Sequence, residues 1–120
     1  VTARARYRKI EIAHYRATVH AVVGRDLAAA YALARRRCPA LTDAHDPADE
    51  AACLTGPDGA AWVLFPARAS PGLVAHEAVH AAVLVARRRG LPVSASADEV
   101  LAYLVEEIVS KVAEVVDDFA

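Results

Sequence analysis

The first periodic signal in the chain is an alternation over residues 9–23. Ile10 and Ile12 share one face, and Ala17, Val19, Ala21 and Val23 share a face on the next stretch. A period of two marks half-buried strands, and the interruption near His14 and Tyr15 predicts two antiparallel strands joined by a bend. Gly24 ends the alternation. Asp26 then stands as an N-cap ahead of Leu27, Ala30, Tyr31 and Ala34 at helical spacing, until Pro39 forbids continuation. This predicts a first helix of about three turns. Residues 41–50 have turn-forming composition without a period and read as a surface loop. Two short apolar runs, 51–54 and 61–65, flank Thr55-Gly56-Pro57-Asp58-Gly59 and predict a second hairpin. Trp62 and Leu64 should face one side of it, Val63 and Phe65 the other.

The rest of the chain is helical in pattern. Ser70 is a capping serine and Pro71 sits where the first helical residue belongs, opening a helix that runs to Arg89 and stops at Gly90. After Leu91 and Pro92 a last helix begins near Ser96 and runs to about Asp117. Its apolar stripe comprises Val100, Leu101, Leu104, Val105, Ile108, Val109, Val112 and Val116. Such a stripe must be covered by the sheet, by the preceding helix, or by a second copy of the chain in a homodimer. The expected class is α+β, with small antiparallel hairpins packed on two helices.

Composition narrows the picture. No internal repeat or linker divides the 120 residues, which suit a single domain spanning 1–120, and a 56% hydrophobic content is enough to build a core. Fourteen basic against 15 acidic residues leave a net charge of -1, which argues against nucleic acid and anionic membrane as partners. The most apolar stretch, 73–86, is too short to span a bilayer and is broken by His76, Glu77 and His80. The basic start, with Arg4, Arg6, Arg8 and Lys9, leads into no apolar leader core. A cytoplasmic location is expected, with Cys38 and Cys53 as free thiols.

The chemistry lies in His76-Glu77-Ala78-Val79-His80, an HExxH pattern inside the best-punctuated helix. Four residues of α-helix turn through about 400°, so His76 and His80 project from nearly one angular position, one turn apart, and both can reach one metal ion. Glu77 lies on the adjacent face, where it can act as general base toward a water activated by zinc. The bland alternative is a pair of ordinary histidines. It requires two imidazoles and a carboxylate to be desolvated without partners among Leu73, Val74, Val79, Val83 and Leu84, which is costly. Zinc needs a third protein ligand. The next helix offers Glu99 and, seven residues further on the same face, Glu106. Glu99 has a competing role, since Ser96-Ala97-Asp98-Glu99 is also a capping box. A histidine six residues after His80 would mark the metzincin pattern, but that position is Ala86, and Val83 stands where its glycine would be.

The segment Pro71-Gly72-Leu73-Val74-Ala75-His76-Glu77-Ala78-Val79-His80, followed by Asp98-Glu99 and Ala102-Tyr103-Leu104, resembles the small zinc metallopeptidases of phages and prophages, minimal relatives of the gluzincins. The likeness covers roughly residues 70–112. It implies a minimal zincin fold, zinc held by His76, His80 and Glu99, base catalysis by Glu77, and a peptide or protein substrate. It implies no particular substrate. A peptidase also needs a group that stabilises the oxyanion, and Tyr103, one turn after Glu99, is the candidate; it could equally hold a ligand in place.

Other features read more simply. His14, His20 and His45 are taken as surface or hairpin residues. Arg35-Arg36-Arg37 and Arg87-Arg88-Arg89 each occupy the last turn of a predicted helix, where positive charge complements the helix dipole. The alternative to an enzyme is a non-catalytic protein that keeps the zincin fold to bind a partner.

Overall fold

The computed structural model describes residues 5–41, 49–91 and 98–119. Strand β1 (Ala5–Ile12) passes through a 3-10 turn (Ala13–Tyr15) into β2 (Ala17–Gly24), followed by α1 (Leu27–Arg37), β3 (Ala52–Thr55), β4 (Ala61–Pro66), α2 (Pro71–Arg88) and α3 (Asp98–Phe119). The fold is α+β. The two hairpins form where the alternation and the turn residues predict them, with Ile10 opposite Val19 in the first and Leu54 opposite Trp62 in the second. Arg16 closes the first bend in the left-handed region, at φ 49°.

The sheet is mixed, where antiparallel hairpins alone were expected. Its order is β1-β2-β4-β3, and β2 pairs with β4 in parallel, Ala21 opposite Val63. Parallel neighbours need a crossover between them, and α1 lies within it. The tight turn from β2 into α1 depends on Gly24, because a Cβ there would lie 2.5 Å from the Ala30 nitrogen and 2.7 Å from the Asp26 oxygen. Asp26 caps α1 by accepting a hydrogen bond from the Ala29 amide at 2.9 Å.

Strand alternation sends the two faces of the sheet into separate cores. Val22, Trp62 and Leu64 pack with Ala30, Tyr31 and Ala34 of α1 on one face. Ile10, Ile12, Val19, Val63 and Phe65 pack under α2 and α3 on the other. The central strands are thus covered on both sides, which is why Ala21-Val22-Val23 and Trp62-Val63-Leu64-Phe65 are continuously apolar.

Helix α3 contacts β1 and β2, whereas α2 contacts β4 and β3. Leu104, Ile108, Val112, Val115 and Val116 bury the α3 stripe within the chain. Val100, at the start of that stripe, is 39% exposed. Helix α2 begins as its punctuation predicts: the Ser70 hydroxyl accepts from the Leu73 amide at 3.1 Å, and Gly90 follows the last turn at φ 68°. Most of the 41–50 loop, His45, and Ser96, the serine of the proposed capping box, lie outside the described residues. No described helix is long and apolar enough to cross a membrane.

Candidate metal centre

Helix α2 lies over the β3 side of the sheet, so its residues divide into three faces. Val74, Ala78, Ala81, Ala82 and Val85 are buried against the sheet and α3. His76 and His80 are exposed. Glu77, about 100° around the helix from His76, turns toward β3 and is only 6% exposed.

The two imidazoles converge. His76 Nε2 and His80 Nε2 are 3.3 Å apart, with the rings edge to face at 74°. A tetrahedral zinc with zinc–nitrogen bonds of about 2.0–2.1 Å sets two nitrogen ligands about 3.3–3.4 Å apart. The histidine pair therefore has the spacing that a shared ion requires. A carboxylate oxygen of Glu77 belongs to the same group, all ligand atoms lying within 4.8 Å of one another. Glu99 and Glu106 are exposed on α3 and stand outside this group.

Glu77 is the one buried charged residue among those described, and its Oε2 has no hydrogen-bond partner there. Burial pushes its carboxyl above the usual range; the neighbouring His76 and His80 pull it back down, and Asp49 adds to the rise. Nearby Cys53 is pushed up to about 12, first by burial and then by the negative charge of Glu77. With no metal bound, burial thus keeps the Cys53 thiol protonated near neutral pH. Both cysteines are free, as the sequence suggests.

An open groove runs past this group. On one side of Glu77 a cleft of about 580 Å³ is bounded by residues 51–55 along β3 and by Glu77, His80, Val83, Leu84 and Arg87 of α2. On the other, a cleft of about 500 Å³ lies between Glu50 and the start of α2, with Gly72 and His76 in its wall. The two share Asp49, Ala51 and Glu77. Tyr31 also lines the first cleft although it belongs to the core on the opposite face of the sheet, so the cleft reaches around the β3 edge.

The structure thus brings together His76, Glu77 and His80, and leaves Glu99, Glu106 and the 61%-exposed Tyr103 outside both clefts. Tyr31 and Asp49 enter the groove without any local signal in the sequence: one reads as a core position of a helix, the other as a turn former. His20 is a hairpin residue, in β2 opposite Lys9. It stacks on Trp62 at 4.2 Å and shares a 2.7 Å hydrogen bond with the Tyr7 hydroxyl, on the face that carries α1. Compared with known proteins, the chain matches no family model, no curated protein and no solved structure.

Proposed function

We propose that this chain is a zinc-dependent peptidase of minimal zincin style. The observation that carries the reading is the 3.3 Å approach of two helical imidazoles beside a buried carboxylate oxygen with no partner among the described residues, in an open groove. The donor set is two imidazole nitrogens and a carboxylate, with no thiolate, which suits zinc in a hydrolytic rather than a purely structural site. Zinc bound there supplies Lewis acidity, making water nucleophilic near neutral pH.

The chain's own residues do the rest. His76 and His80 would hold the ion through their ring nitrogens. Glu77 Oε2, held away from bulk water by α2 and β3, accepts the proton that the attacking water loses and returns it to the departing amine nitrogen. Outer strand β3 forms the wall along which an extended peptide can lie, with the bond to be cut beside Glu77. A third ligand would have to come from α3, Glu99 first and Glu106 next, although both stand outside the histidine group in this structure, and Tyr103 would be the group that assists.

A second reading is favoured by one observation. Both candidate glutamates of α3 stand outside the histidine group, which suits a protein that binds metal or peptide without hydrolysis. Elemental analysis comes first: near-stoichiometric zinc, lost in His80→Ala, is the expected result, and no zinc in the native protein would sink both metal readings. Cleavage of a peptide library that disappears in Glu77→Gln while zinc is retained supports the enzyme. Zinc without cleavage in either protein supports the binding module.

A further inference from the structure

The three arginines ending α2 do not share one role. Arg88 and Arg89 line a small cavity with Arg16 and Asp58 near the starts of β2 and β4. Arg87 instead lines the groove that holds Glu77 and His80. Its guanidinium is exposed and makes no hydrogen bond or ion pair among the described residues. The helix dipole accounts for a positive charge in this turn, but not for one in the wall of the groove.

His80 and Arg87 are seven residues apart, two turns of helix, which separates them by about 10.5 Å along the groove wall. Between them the wall is apolar, formed by the half-buried Val83 and Leu84. Asp49 and Glu77, the acidic groups among the described residues of this cleft, both belong to the part shared with the neighbouring cleft. Among the described residues the groove is therefore polarised: imidazoles and carboxylates at one end, an apolar stretch, then the Arg87 cation. Glu77 lies ten residues before Arg87, about 15 Å along the helix, and an extended peptide advances about 3.3 Å per residue, so one whose reacting carbonyl lies beside Glu77 brings roughly its fourth or fifth residue to Arg87.

We propose that Arg87 is the specificity-determining residue of this groove, selecting peptides that carry a carboxylate about four to five residues from the bond beside Glu77, with apolar side chains between. The position of the bond rests on the metallopeptidase reading; recognition of the carboxylate does not. The carboxylate can be a free C-terminus or an Asp or Glu side chain, since the guanidinium fork pairs with either.

The test uses zinc-loaded Glu77→Gln protein, which cannot turn its ligand over, and fluorescent Leu/Ala hexapeptides. Each carries Asp at one successive position, or a free C-terminus, and is paired with its Asn or C-terminal-amide twin. Anisotropy should show at least one acidic peptide binding about tenfold more tightly than its twin. That preference should collapse in the added Arg87→Gln background and persist in Arg89→Gln. Whether the Asp or the C-terminal pair carries the preference identifies the source of the carboxylate. Equal affinities within every pair, no binding at all, or a preference that survives Arg87→Gln would overturn the proposal. Cleavage by the wild-type protein is scored separately. Acidic preference without cleavage leaves Arg87 standing and removes the enzyme; cleavage without preference does the reverse.

Discussion

Replacing Glu77 by Gln should make the metal-free protein more stable at neutral pH, although it removes the proposed base. The side chain is 94% buried by its 6% exposure, and Oε2 has no partner among the described residues. Leaving a buried polar group unsatisfied costs about 1–3 kcal/mol, and more when it is charged. The neutral amide keeps part of that cost, so about 1–2 kcal/mol of stabilisation is expected in the presence of a chelator. For a chain of this length that corresponds to a rise in Tm of roughly 4–8 °C. The sign with pH follows from the raised carboxyl. Folding holds that proton more tightly than the unfolded chain does, so wild-type stability is greatest below the ordinary carboxylate range and falls as pH rises through the folded value. The gap between variant and wild type should therefore be small near pH 4 and widen toward pH 7. Thermal melts by circular dichroism over that range provide the assay. An equal or lower Tm for Glu77→Gln at pH 7 would refute the reasoning, because it would mean that the folded chain already satisfies the carboxylate.

Three further outcomes are expected. Leu104→Ala, at a fully buried position, should cost about 2–5 kcal/mol in urea titration, whereas Val100→Ala, on the exposed start of the same stripe, should stay within about 0.5 kcal/mol. His20 has its pKa lowered, chiefly by burial, so folding opposes its protonation. Stability should fall as pH drops through the ordinary histidine range near 6.5, and His20→Gln should flatten that slope; the fluorescence of Trp62, the sole tryptophan, stacked 4.2 Å from the ring, reports it directly. Ser70→Ala removes the cap on the Leu73 amide and should lower stability by about 1 kcal/mol in denaturant titration, leaving zinc stoichiometry unchanged.

Much of the fold and half of the site were legible along the chain because their causes are local. Capping by Asp26 and Ser70, the alternation that sends Val63 and Phe65 to one face and Trp62 and Leu64 to the other, and the one-turn spacing of His76 and His80 all depend on residues within a few positions of one another. The parallel pairing of β2 with β4 was not legible. Turn residues specify a hairpin, but the choice of which hairpin edge joins which is made across forty residues by the crossover through α1 and the burial of both faces.

The same division governs the candidate chemistry. The HExxH spacing on a well-capped helix is sufficient to bring two imidazoles to a 3.3 Å approach with a carboxylate beside them, since helical geometry alone sets those relations. The burial of Glu77, the groove along β3, the arrival of Tyr31 and Asp49, and the turning of Arg87 into that groove while Arg88 and Arg89 face another cavity arise from packing. Each depends on α2 lying over the β4–β3 half of the sheet, a placement reached because α3 covers β1 and β2. A helix carries its own angular pattern wherever it docks; which of its faces becomes a site depends on what the rest of the chain leaves uncovered.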